Sequence, residues 1–374
     1  MRATLADPSL ARYAGRFVWL TLDYDKPENS AFIAQHGVQG TPSFFVLNPV
    51  TGDATATEPD AMTLQEMIGF LDRGEAGMKA HARTPLDAAL TRGDELMARN
   101  DAAAAVKAYS EALRLAPKTG PAHEEAVASL LTGWYGAQQW KSCGEMAAAE
   151  APHMGRDAMF GRVVLNGLDC VDQGGTEAWT AAARKTLDPL AAEAIALPTT
   201  VRDHRFELYR ELMSEAQSRG DKATVQRWGD RWLAELDSTK PINDDERSAL
   251  DIARVDAARL MGNPSRVLPA LIASEKAMPG NYNASLRLAQ IELDAKNYGD
   301  AIAACDRGLP HVTGPMGRTW LMQVKADALN KSGKPAEAHR VLEEALPVAQ
   351  QISSAQVRDM YVQRINAALK EIKD

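Results

Sequence analysis

The stretch GDELMARNDAAAAVKAYSEALRLAP, Gly93 to Pro117, holds two amphipathic helical runs on either side of Asn100-Asp101. In the second run Ala105, Tyr109 and Ala112 recur at three- and four-residue spacing, which sets them on one face, and Pro117 closes the run. Small residues at such positions let two helices approach closely. A turn residue between the runs ends the first helix after about three turns. The stretch therefore predicts an antiparallel helix pair, and its pattern can be followed along the chain.

The pattern returns in DIARVDAARLMGNPSRVLPALIASEKAMP, with Ala253 small in the first helix, Gly262 at the turn and Pro279 at the end. It returns in SLRLAQIELDAKNYGDAIAACDRGL with Ala289, Tyr298 and Ala301. A later copy, WLMQVKADALNKSGKPAEAHRVLEEAL, carries Ala326, Gly333, Ala338 and Ala345. A looser copy from Phe206 to Leu236 keeps Ala216 and Gly220 but puts Trp228 and Trp232 in its second helix. Residues 121–200 read as degenerate pairs around LLTGWYGAQQWKSC and GTEAWTAAARKTL. The count expected is roughly five or six pairs, with AQVRDMYVQRINAALKEIK as a polar-faced terminal cap. Small residue, aromatic, small residue and closing proline at this spacing resemble the tetratricopeptide repeat.

The first eighty residues read differently. Phe17 to Leu22 is almost continuously apolar, as a strand covered on both faces would be. A short helix follows, with Pro27 in its first turn, Glu28 near its positive end and Gly37 as its stop. SFFVLNP is a second apolar strand, NPVTGD a turn, and Asp53 to Thr57 a short strand. A capping box, Thr63 to Glu66, opens a helix that keeps Met67, Phe70 and Leu71 in phase and is expected to stop at Gly74. That order, with GTPSFFVLNPVTG at its centre, resembles the C-terminal two-thirds of a thioredoxin fold. The resemblance implies that Thr41-Pro42 is a cis bond facing substrate. It also implies a preceding strand and a CxxC at a helix N-terminus, which the sequence does not contain, since no cysteine lies in 1–82. Two explanations stand open: a fragment of an active redox protein, favoured because the absent strand is the centre of the sheet, or a degenerate domain kept for packing.

The fold class expected is thus α/β plus all-α: an incomplete thioredoxin-like domain over 1–82, then a tetratricopeptide-type helical array over 83–374. The totals exclude several functions. No apolar run is long enough to span a membrane, and no apolar leader is visible at the N-terminus. For a longer form, the thioredoxin resemblance implies an exported or periplasmic setting. A net charge of −8, without any block of Lys and Arg, disfavours nucleic acid. Cys143, Cys170 and Cys305 are far apart in sequence and read as small buried hydrophobes, so neither a disulfide framework nor a structural metal is expected. No cofactor is implied. Asp23 and Asp25 form a DxD that reads as helix capping and not as a cation site.

What remains is the binding of protein. In a helix-pair array, function falls on the face lined by the first helix of each pair. Projecting the helical period onto those helices selects Glu207, Arg210, Asp256, Arg259, Asn283, Gln290, Trp320, Gln323, Asp327 and Asn330. Amides and both signs of charge suit an extended peptide better than a polyanion. The resemblances together imply a thioredoxin-family protein whose repeats dock a protein partner, itself without the dithiol. The alternative is a non-catalytic protein-binding scaffold.

Overall fold

The computed structural model describes residues 5, 7–24, 26–36, 38, 42–58, 62, 64–78 and 84–372. It divides into two compact units, Met1–Leu212 and Met213–Asp374.

Unit 1 begins with an α/β segment. A 3-10 turn at Pro8–Tyr13 is capped by Asp7, whose carboxylate accepts from the Ser9 backbone N–H at 2.8 Å. A second 3-10 turn at Pro27–Asn29 leads into α1, Ser30–Gln35. β1, Phe44–Leu47, and β2, Ala54–Glu58, then form an antiparallel hairpin covered by α2, Leu64–Met78. The hairpin turn is set by Asn48, whose side chain accepts from the Val50 backbone N–H at 2.9 Å. Tyr13, fully buried, packs with Val46, Ala56, Met67 and Phe70 and donates its hydroxyl to Asp72 at 2.6 Å.

Three expectations for this segment change. Phe17–Leu22 forms no strand: among the described residues it has no pairing partner, and Val18 and Leu20 are 87% and 77% exposed. A strand covered on both faces needs neighbours on its edges, and among the described residues the sheet has two strands. The thioredoxin part of the resemblance is therefore unsupported. Second, α2 runs through Gly74 to Met78. Gly74 is a contact residue, since a Cβ there would lie 2.5 Å from Val46 Cγ2. Third, Thr41, Thr63 and Asp25 lie outside the described residues, which removes the Thr41-Pro42 bond, the Thr63–Glu66 box and the DxD from description.

From Thr84 onward the chain is helical. Its pairs are α3 Pro85–Ala98 with α4 Ala102–Leu115, α5 Pro121–Gly136 with α6 Trp140–Glu150, and α7 Ala158–Gln173 with α8 Ala178–Ala196. α9, Arg202–Ser218, contains the boundary between the units and is followed by α10, Lys222–Ser238. Unit 2 continues with α11 Asp244–Leu260 and α12 Leu268–Ala277, α13 Tyr282–Asp294 and α14 Tyr298–Gly308, then α15 Pro315–Lys331 and α16 Pro335–Ala349. α17, Ala355–Glu371, closes the unit. It buries Tyr361 and Ile365 against Leu342 and its neighbours and turns a polar face outward, as a cap does. Each turn inside a pair contains one residue in the left-handed region: Asn100, Gln138, Gly175, Gly220, Gly262, Lys296 and Gly333. Seven pairs are thus described, more than the sequence suggests, because 121–200 resolves into two full pairs and not a degenerate stretch. Ala105, Ala112, Ala216, Ala253, Ala289, Ala301, Ala326, Ala338 and Ala345 are all buried between helices.

The reading of the cysteines is also corrected. α6 and α7 are antiparallel neighbours, and Cys143 near the start of one meets Cys170 near the end of the other in a disulfide, with Cα atoms 6.0 Å apart. A separation of 27 positions hides this in the sequence, whereas a helical hairpin brings the two ends together.

Candidate binding sites

In unit 1 an ion network joins the hairpin and α2 to the first helices of three pairs. Arg162 on α7 donates to Glu58 at the end of β2 at 2.7 Å and lies 3.7 Å from Glu66 on α2. Arg73 on α2 pairs with Glu125 on α5, and its Nε stands 3.5 Å from Oδ2 of Asp94 on α3. The hydroxyl of Tyr109 donates to Asp94 Oδ1 at 2.8 Å. Burial pushes the Asp94 carboxyl up to about 6, against the pull of Arg73 and the Tyr109 hydrogen bond. Burial, reinforced by Asp94, likewise raises the Tyr109 phenol well above its ordinary value.

Around this network lies a cavity of about 910 Å3. One wall is the hairpin and α2; the other is built by residues of α3, α4, α5 and α7. Phe45, packed 5.3 Å from the His36 ring, lines it with Tyr109 and Tyr135. This volume is at the upper end of the roughly 300–1,000 Å3 of ligand pockets. The sequence projection missed these residues, because it followed the clearer repeats in the second half. The acidic doublet Glu124-Glu125, inside the largely apolar α5, was the available signal.

The residues selected from sequence fall in both units. Glu207 and Arg210 sit on α9 in unit 1 and form an ion pair with each other. In unit 2, Arg259 on α11 donates to Asp294 on α13 at 2.8 Å, a bridge between first helices of successive pairs. Asp294 was not among the selected residues. Asp256, Asn283, Gln290 and Gln323 are half-buried, and Asn330 is exposed. Asp327 pairs with Lys331 at 2.9 Å, one turn away on α15. Trp320, also on α15, is 41% exposed. Pro42 is half-buried. Among the described residues no group of His, Cys, Asp and Glu side chains is arranged to hold a metal ion, and no helix is long and apolar enough to cross a membrane.

No family model and no curated protein matches the chain. Among solved structures, the TPR2AB domain of yeast Sti1 in its pHSP90 complex matches over 75% of this chain and 98% of its own, at 11% identity and a TM-score of 0.28. A TM-score at that level assigns neither ligand nor activity, and the helix-pair architecture stands on the turns and packing described above.

Proposed function

We propose that the chain is a non-catalytic protein-binding scaffold, in which residues 83–374 form the binding array and 1–82 flank it. The observation that carries this reading is the surface of unit 2 formed by α11, α13 and α15. There the Arg259–Asp294 bridge fixes two first helices side by side, and α15 exposes the Trp320 ring above Gln323 and Asp327. A large aromatic with amides and paired charges is the residue mix that anchors an extended partner segment. Disulfide exchange is not adopted as the activity. Cys143 and Cys170 are fully buried in their disulfide. Cys305 is the one free cysteine, and burial pushes its thiol up to about 12, which keeps it from acting as a thiolate nucleophile.

The test is a photo-crosslinking amino acid placed at Asn330, exposed on the same helix as Trp320, in otherwise native protein and in two variants. Arg259→Glu combined with Trp320→Ala should abolish crosslinking to a defined partner, and Pro42→Ala should leave it unchanged. Equal loss from both variants would move the binding site to the N-terminal segment and overturn the reading.

A further inference from the structure

One cation on the binding face of unit 2 stands without a partner. Along α13, Arg287 is the one side chain between Asn283 and Gln290 that is not buried. Asn283, Arg287, Gln290 and Asp294 recur at four-, three- and four-residue spacing, a single stripe down the helix. The other charges of this face are taken: Arg259 by Asp294 and Asp327 by Lys331, and Asp256 has a partner as well. Arg287 differs. Among the described residues no carboxylate oxygen lies within 4.0 Å of its guanidinium, and its Nη1 is buried without an acceptor. Asp251 on α11, whose charge acts on it from farther away, is already held by Arg254 at 3.1 Å and by the Ser274 hydroxyl at 3.0 Å. Burial lowers the Arg287 guanidinium from its ordinary value, against the pull of Asp251 and Tyr282. A guanidinium stripped of water without an acceptor is costly, and an arriving anion removes that cost.

What flanks Arg287 sets the rest of the ligand. Counted back from the left-handed turn residues Gly262, Lys296 and Gly333, three residues stand at the same depth, nine or ten positions before the turn: Ile252 on α11, Arg287, and Gln323 on α15. Trp320 lies one helical turn before Gln323. Ile252 is 49% exposed and Trp320 41%. The three helices are immediate neighbours. The Arg259–Asp294 bridge joins α11 to α13, and a Cβ on Gly317 of α15 would lie 2.6 Å from the Tyr282 ring at the start of α13. Exposed apolar surface therefore stands on either side of the unpaired cation.

We infer that the partner is an extended segment that seats an Asp or Glu carboxylate on Arg287 and places an apolar residue on each side of it, an inference that rests on the scaffold reading above. Packed helices are about 8–10 Å apart, and an extended chain advances about 3.3 Å per residue. The segment thus has the order apolar, two residues, acidic, two residues, apolar, with its ends toward Ile252 and Trp320. An internal side chain fits better than a chain terminus, because accessible surface continues past Arg287 toward both α11 and α15.

The experiment is fluorescence anisotropy on the full chain with labelled peptides of the pattern Leu-x-x-Glu-x-x-Leu, x being Ser or Gly and both termini blocked. The glutamate peptide should bind, more weakly as salt rises, and its glutamine counterpart should bind at least about tenfold more weakly. Arg287→Gln, with an unchanged circular dichroism spectrum, should bind the two peptides alike. The peptide pair on the native chain decides even if that variant does not fold. Equal binding of the two peptides by the native chain, no binding of either at low salt, or discrimination that survives Arg287→Gln overturns the inference. So does a glutamine peptide with a free C-terminus that matches the blocked glutamate peptide, which would make this a terminal-carboxylate site. Crosslinking from Asn330 that persists in Arg287→Gln but is lost in Arg259→Glu/Trp320→Ala overturns the inference and leaves the scaffold reading intact. Crosslinking that persists in both overturns both.

Discussion

Arg162 on α7 and Glu58 at the end of β2 are 104 positions apart in sequence and meet at 2.7 Å, with side chains 9% and 8% exposed. This contact ties the α/β segment to the third helix pair. Removing the cation of a buried ion pair costs about 3–5 kcal/mol. Arg162→Ala is expected to lower stability by that amount in urea unfolding. A loss below about 1 kcal/mol would be the value of a solvated surface pair.

Gly93 on α3 lies against the ring of Tyr109, and a Cβ there would penetrate that ring. Alanine is the better helix former by about 1 kcal/mol, so propensity alone predicts stabilisation. Overpacking, at about 1–3 kcal/mol, acts in the opposite direction and also displaces the Tyr109 hydroxyl from Asp94. Gly93→Ala is expected to lower the melting temperature. An increase would mean that α4 moves aside freely.

The Cys143–Cys170 disulfide closes a loop of 27 positions, which the chain-entropy estimate values at roughly 3–4 kcal/mol. Thiol titration of denatured, unreduced protein should count one reactive cysteine, Cys305, and reduction should raise the count to three. Cys143→Ser with Cys170→Ser should shift the urea midpoint downward, with the largest loss of amide protection in α6 and α7.

Glu211 on α9 is a source of pH dependence. Burial, with Asp172 and Asp169 nearby, pushes its carboxyl up to about 8 from an ordinary 4.5, against the pull of Arg184. Because the folded value exceeds the unfolded one, the group's contribution to stability is complete below about 4.5 and is lost as pH rises through about 8. The melting temperature should therefore decline between pH 5 and 9, and Glu211→Gln, neutral throughout, should flatten that decline. An unchanged slope in the variant would mean that the carboxyl is already ionised at neutral pH.

At Asn100, Gly220, Gly262 and Gly333 the turn residue adds to the repeat signal in the sequence, because these residues reach left-handed backbone at little cost, whereas the pair turning at Lys296 is legible from Ala289, Tyr298 and Ala301 alone. Gln138 occupies the same conformation without that signature, and the pair it divides reads as degenerate. The face of unit 2 could be projected from helical period, since period fixes direction along a helix. The cavity of unit 1 could not be, because it depends on Glu58, Arg73, Asp94 and Arg162 converging from four elements, and no local pattern encodes that meeting. The disulfide is hidden for the same reason. Phe17–Leu22 shows the opposite failure: an apolar run specifies a capacity for pairing, and no described strand lies beside it.

The bond between Cys143 and Cys170 also sets how the chain responds to force. Pulled from its two ends, a stack of helix pairs lengthens step by step as each pair yields and releases its contour. The residues between the two sulfurs are bypassed by the covalent link and bear no load. Unit 1 would then extend by roughly 90 Å less than its residue count allows, and the missing length would return on reduction. The second and third pairs are in this respect a short tether, and α6 and α7 would be the helices along which tension is not transmitted.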